Sequence, residues 1–379
     1  MRMSTSLSVA QRLKFQLLAE GIGISPAAHA ALVESTSERA LTPADYASTS
    51  GLILELDDNV WVNAPISTHN PNFVGETPFI LDHGADGFWV HGEGLASPAR
   101  FWPPPTYHGQ SASFGPLNNF VVTHGDRARL SPMRGCAMVC TFCNIPYDDP
   151  LDVYGTKPVD ALLQATRAAL TDVSQPAQHL LISGGTPKRP DFEFLREVYR
   201  RVLTEFPGVP VDIMMVPLPG LFNLPELDKL GLNEISINLE LFSAEYAADI
   251  MRHKYNQGLD FYLDFIEEAA SVLGPGRVRS MLMVGLEPME ATLAGVTAIG
   301  ERGGVPVLSP FRPDPATPLR DRKPPGAAEL EETYLRATDA AARAGTVLGP
   351  DCPPCTHNTL SFTPAGPDAC YRYSQPVMV

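Results

Sequence analysis

From about Ala128 onward, apolar runs alternate with stretches of helical period. Ala128–Met133, Gln178–Ser183, Val209–Val216, Glu234–Leu239, Val278–Val284 and Val305–Ser309 have the length and content of strands. Between and after them, Pro158–Asp172, Pro190–Phe206, Leu224–Leu230, Gly258–Leu273, Glu290–Arg302 and Ala327–Ala344 predict helices. Such alternation implies an α/β fold with a parallel sheet and right-handed crossovers. Six βα units are too few to close an eight-stranded barrel. Sites in sheets of this kind gather beyond the C-terminal ends of the strands.

The first 120 or so residues are patterned differently. Val9–Glu20 and Ala27–Glu34 read as helices, and four strand-like runs begin at Gly51, Val60, Pro78 and Gly87. Pro103, Pro104 and Pro105 interrupt any regular element. The expected organisation is an α+β accessory domain over 1–122, a barrel over 123–325, and a C-terminal helix with an extension over 326–379. His69, His83, His91 and His108 share no ligand spacing, so packing or hydrogen bonding is the simpler role for them.

Composition narrows the partners. Of 379 residues, 43 are acidic and 28 basic, a net charge of −15, with no basic run. That argues against a nucleic-acid backbone as the main partner. No apolar stretch has membrane-spanning length, and the start lacks the apolar core of a signal peptide. The six cysteines fall into two compact groups, as expected for metal sites in a reducing cytoplasm.

The first group is Cys136-Ala-Met-Val-Cys140-Thr-Phe142-Cys143. Three thiolates so spaced can hold three irons of a [4Fe-4S] cube and leave the fourth iron open. Zinc is the alternative, but a structural zinc site wants four ligands, usually as two C-x2-C pairs, and none lies nearby. The C-x3-C-x2-C spacing, with an aromatic before the last cysteine, resembles the radical S-adenosylmethionine (SAM) superfamily. The resemblance implies a partial (β/α)6 barrel, a [4Fe-4S] cluster on Cys136, Cys140 and Cys143, SAM as its ligand, and a reducing electron donor such as flavodoxin or ferredoxin.

Further residues follow from that resemblance. Ser183-Gly184-Gly185-Thr186 is similar to the family's Gly-Gly-Glu segment, which binds the SAM amino group mainly through backbone oxygens; here Thr186 replaces the acid. In Ile235-Ser-Ile-Asn238-Leu-Glu240, alternation puts Ser236, Asn238 and Glu240 on one face. The resemblance implies that Asn238 or Glu240 meets the ribose; an internal polar network is the alternative. Arg252 could pair with the methionyl carboxylate or be a solvated charge. Gly285 would let backbone pass close to adenine. Ser309 and Arg312 are candidates for substrate contact or loop anchoring.

The second cysteine group is Cys352, Cys355 and Cys370. It resembles the auxiliary [4Fe-4S] site of molybdopterin-precursor cyclases, in which an open iron faces the substrate. A second [4Fe-4S] cluster is expected, with zinc, using His357 as fourth ligand, as the alternative. The implied function is reductive cleavage of SAM to a 5′-deoxyadenosyl radical, which abstracts hydrogen from a small polar metabolite for rearrangement, cyclisation or oxidation. The metabolite could sit on the auxiliary cluster. Sulfur insertion from that cluster, peptide or RNA modification, and a zinc-structured binding protein are the alternatives.

Overall fold

The computed structural model describes residues 7–35, 51–67, 75–147 and 154–363. Seven strands form the central sheet: β1 (Val121–His124), β2 (Arg127–Leu130), β3 (His179–Ile182), β4 (Val211–Met214), β5 (Glu234–Ser236), β6 (Val278–Val284) and β7 (Val305–Pro310). Their spatial order is β7-β6-β5-β4-β3-β2-β1. From β2 to β7 every neighbouring pair is parallel, and β1 joins β2 as an antiparallel edge. This is an open partial barrel of six parallel strands, as expected, with one strand added. Strand β1 straddles the expected boundary at 122, because the Gly125 turn folds it back onto β2.

The connecting helices follow the apolar periodicity. They are α1 (Val159–Leu170), α2 (Phe192–Glu205), α3 (Leu224–Lys229), α4 (Ala244–Ile250), α5 (Arg252–Gln257), α6 (Leu259–Leu273), α7 (Met289–Glu301) and α8 (Ala327–Arg343). Helix α2 shows the logic: Phe192, Leu195, Val198, Tyr199 and Val202 form one buried stripe. Helices α4 and α5 were not expected, being too short for a clear apolar period.

A six-stranded sheet precedes the barrel, in the order Gly23–Ile24, Ile80–Gly84, Gly87–Gly92, Leu95–Phe101, Gly51–Leu56, Val60–Pro65. Leu95–Phe101 was missed because Pro98 reads as a strand breaker. The leading helix, Val9–Glu20, starts at a capping box of Ser8 and Gln11. Phe15 on that helix packs against Tyr334 of α8 and against Phe362, so one continuous core runs from the N-terminal sheet to the barrel. Lys14, also on that helix, is fully buried and donates to the carbonyls of Thr356 and Ser361, at 2.8 Å each. The C-terminal segment is thereby held between the two sheets. It also joins the β7 edge, where the Leu360 amide donates to the Leu308 carbonyl.

Candidate active site

Strand β2 leads into the cysteine loop, so Cys136, Cys140 and Cys143 stand beyond the C-terminal ends of the parallel strands. Two ties fix the loop. The Ala137 amide donates to the Thr186 carbonyl, and the Thr141 amide donates to the Ile250 carbonyl, both at 2.9 Å. Gly185 is required for the first tie: a Cβ there would lie 1.6 Å from the Gly135 carbonyl oxygen. Gly184 has φ +146, outside the range of other residues.

The thiols sit in surroundings suited to a bound cation. The amides of Thr186 and Met138 donate to Cys136 Sγ, at 3.1 and 3.3 Å. Burial pushes the Cys140 thiol far up, with the nearby Glu240 charge adding to it, and burial pushes Cys143 up to about 11. Without a cation these two sulfurs stay protonated; a metal is what makes them thiolates. Apolar Met138, Phe142, Leu241, Ile250, Met251 and Phe311 surround the loop. Three clustered cysteines with amide donors to sulfur, in an apolar shell, fit the iron–sulfur cube.

The loop opens onto a cavity of about 360 Å³. All three cysteines line it, together with Phe142, Gly184, Thr186, Asn238 and Glu240. Asn238 Oδ1 accepts from Ser236 Oγ at 2.8 Å and from the Met281 amide at 3.2 Å, so the same-face row is also an internal brace. Glu240 has φ +68 and pairs with Lys254 Nζ at 2.6 Å. Burial alone would lower the Lys254 ammonium; the Glu240 carboxylate outweighs it and raises it.

Two expected contacts fall elsewhere. Arg252 is exposed and outside the cavity lining; Lys254, one half-turn further along α5, points in instead. Gly285 has φ +94 and sits against Pro325, also outside the lining, while Met281 and Met283 of β6, the strand before it, face the cavity. Gly185 supports the cysteine loop and is likewise absent from the lining.

Ser309 and Arg312 do line the cavity, and both also anchor. Ser309 Oγ donates to the Asn358 carbonyl at 3.2 Å, and Arg312 Nη2 donates to the Asn63 carbonyl at 2.9 Å. Burial brings Arg312 down to about 9. The inward faces of β2, Arg127 and Arg129, were missed. Their signal was present in the alternation Arg127-Ala-Arg129-Leu130, in which Ala128 and Leu130 are fully buried. Arg129 Nε is sealed from solvent with no hydrogen-bond partner among the described residues.

Cys352 and Cys355 lie at the opposite end of the sheet. Their neighbours are Asp126, in the turn before β2, and His179, the first residue of β3. They are therefore at the N-terminal ends of the strands, not beside the mouth, because the C-terminal segment returns beneath the barrel. His357 turns away to the Pro354 carbonyl, its Nδ1 at 2.6 Å, and is not the partner of the two thiols. Cys370 and His69 lie outside the described residues.

Residues 130–293 match the family model of the Radical SAM superfamily. The match runs from the end of β2 into α7. It is 31% identical over 111 residues to the bacteriochlorophyllide c C-7(1)-hydroxylase of Chlorobaculum limnaeum, an alignment that covers 29% of this chain and 28% of that protein. The chain thus spans little more than a quarter of that curated relative. Among solved structures, it is similar to a radical SAM methyltransferase from Sphaerobacter thermophilus, at TM-score 0.46 and 12% identity over 73% of this chain and 77% of that one. It is also similar to Streptococcus suis SuiB bound to S-adenosylmethionine, at TM-score 0.43 and 14% identity over 61% and 48%. Among the described residues no helix is long and apolar enough to cross a membrane.

Proposed function

We propose that the chain is a radical SAM enzyme acting on a small anionic metabolite held inside the partial barrel. The reading rests on one observation: a three-cysteine loop of the right spacing opens onto a cavity whose wall carries Arg127, Arg129 and Arg312. A cavity of this size suits small molecules, whose sites run from about 300 to 1,000 Å³. Its methionine walls, Met214, Met215, Met281 and Met283, exclude water from the reacting centre.

Cys136, Cys140 and Cys143 hold the [4Fe-4S] cluster in this reading. With SAM bound there, such a cluster would supply the reducing chemistry by which the sulfonium is cleaved to methionine and a hydrogen-abstracting 5′-deoxyadenosyl radical, the electron coming from the reductant. The chain positions the parts. The Thr186 and Met138 amides stabilise negative charge on Cys136 Sγ. Backbone around Gly184 and Thr186 faces the SAM amino group. Asn238 and Glu240 meet the ribose, and the ion pair with Lys254 at 2.6 Å holds the Glu240 carboxylate in place. Arg129, whose charge is felt at Cys143, takes the methionyl carboxylate in place of Arg252. Arg127 and Arg312 then face the substrate anion.

In this reading the chain has three parts, with the N-terminal sheet as a wall of the cavity and the C-terminal segment as its floor. The electron donor is a reducing protein such as flavodoxin or ferredoxin. Binding of substrate on a C-terminal cluster, and sulfur insertion from one, both require that cluster beside the mouth; the position of Cys352 and Cys355 counts against both.

The test is anaerobic turnover with SAM, dithionite and panels of small carboxylates and phosphates, reading 5′-deoxyadenosine. An anionic compound should accelerate its formation, and the neutral ester or amide of that compound should not. Undiminished SAM cleavage after Cys136, Cys140 and Cys143 are all replaced by Ala overturns the reading. Equal acceleration by the neutral analogue overturns the anionic substrate class.

A further inference from the structure

At the base of the sheet, four ligand atoms from three distant segments converge. One each from Asp126, His179, Cys352 and Cys355, they all lie within 4.8 Å of one another. His179 Nε2 is 3.4 Å from Cys355 Sγ, 3.7 Å from Cys352 Sγ and 3.2 Å from Asp126 Oδ1. Cys352 Sγ is 3.5 Å from Asp126 Oδ1. With metal–sulfur bonds of about 2.3 Å and metal–nitrogen or metal–oxygen bonds of about 2.0 Å, neighbouring ligands of one tetrahedral ion fall about 3.3–3.8 Å apart. These four edges, 3.2–3.7 Å, lie within about 0.1 Å of that range.

We propose that Asp126, His179, Cys352 and Cys355 form a closed, tetrahedral zinc site that pins the C-terminal segment beneath the barrel. Two thiolates, an imidazole and a carboxylate are a donor set that zinc accepts. The thiolates of a cube are separated by iron and sulfide, and four donors drawn this close leave no space for one. His179 is 1% exposed, Cys352 and Cys355 are 2% and 3% exposed, and the Asp126 side chain is 13% exposed, so the donors are largely sealed from solvent. Two thiolates and a carboxylate around a divalent ion leave one net negative charge. The Arg127 guanidinium, which acts on both Cys355 and Asp126, offsets it.

The site has a consequence for the cavity above. Cys352 leads into the turn Pro354–Asn358, Cys355 lies within it, and Asn358 lines the cavity floor. Pro354 also packs on Gly125, where even a Cβ would come within 2.9 Å. Pinning the two cysteines therefore fixes the floor against which a substrate rests.

Metal analysis of the full chain, purified anaerobically from zinc-supplemented cells, tests the proposal. Parent protein should carry about one zinc per chain besides the iron of the mouth cluster, the count for a single tetrahedral site. Cys352→Ser with Cys355→Ser, and separately His179→Gln, should bring zinc close to zero and leave iron and sulfide unchanged. Cys370→Ser should change neither metal. Replacing Cys136, Cys140 and Cys143 together by Ala should remove iron and leave zinc, which separates this proposal from the reading of the mouth. Cobalt in place of zinc should give a tetrahedral spectrum with thiolate charge-transfer bands. If the base variants lose iron and sulfide, or Cys370→Ser removes metal, the site is a cluster and the proposal fails. If the parent holds no zinc, it fails as well; that measurement decides even where a base variant does not fold.

Discussion

The mouth and the base of the barrel both gather cysteines, and they do so by opposite routes. At the mouth, Cys136, Cys140 and Cys143 come from one short loop and face a cavity. At the base, Cys352 and Cys355 meet Asp126 and His179, which belong to segments far away in the chain. A loop that carries its own ligands can be positioned as a unit, so it suits chemistry at an open edge. Ligands drawn from distant segments hold those segments together, so they suit structure. The electrostatics agree. Burial raises Cys140 and Cys143 and leaves them dependent on a bound cation, whereas at the base burial of Cys355 is outweighed by hydrogen bonding from Cys352 and by the Arg127 and His179 charges, which bring it down to about 5.

The largest expected effect falls at the mouth. Replacing any one of Cys136, Cys140 and Cys143 by Ala should abolish 5′-deoxyadenosine formation and remove about four irons, the content of one cube. Iron analysis and chromatography of the reaction check this. The base variants should instead retain slow SAM cleavage while unfolding at lower temperature, and a chelator strong enough to strip the parent's zinc should reproduce that fall. Equal loss of cleavage in the two sets would erase the contrast.

Next in size is the buried pair at the cavity wall. Lys254→Met strands the Glu240 carboxylate, and breaking such a pair costs about 3–5 kcal/mol. Denaturant unfolding measures that loss, and Lys254→Met combined with Glu240→Gln should recover much of it. Arg129→Gln should weaken SAM binding by roughly tenfold or more, the weight of a charge-assisted hydrogen bond. Arg252→Ala should leave it unchanged. Calorimetric titration under anaerobic conditions distinguishes the two arginines.

The smallest effect is a pH slope. Burial, then the Arg312 charge, holds the Lys14 ammonium well below its ordinary value. Between its folded value and the ordinary lysine value, the unfolded chain binds more protons than the native one. Its contribution to stability therefore rises with pH across that window. Unfolding free energies of parent and Lys14→Met should draw apart in the parent's favour as pH climbs towards 10.5. Parallel profiles would mean that Lys14 titrates normally and that its tie to the C-terminal segment is weaker than its geometry suggests.

The amino-acid sequence by itself determined the six parallel strands, most of their helices and the cysteine loop at the mouth. Each of these is local: a period of apolar residues, or three thiols and their spacing within one loop. It missed α4 and α5, which are too short to show a period, and the lumen arginines, whose alternation on β2 reads equally as a solvated strand face. It also put Arg252 where Lys254 stands, since a two-residue step, a half-turn around the helix, decides which cation points inward. Only the tertiary structure decided which way the C-terminal segment returns. Nothing in the spacing of Cys352 and Cys355 names His179 or Asp126 as their neighbours; the parallel sheet brings those two together at the strand starts, and the Lys14 and Leu308 hydrogen bonds hold the segment there. Ligands that share a loop are legible in one dimension, and ligands that share only a place in space are not.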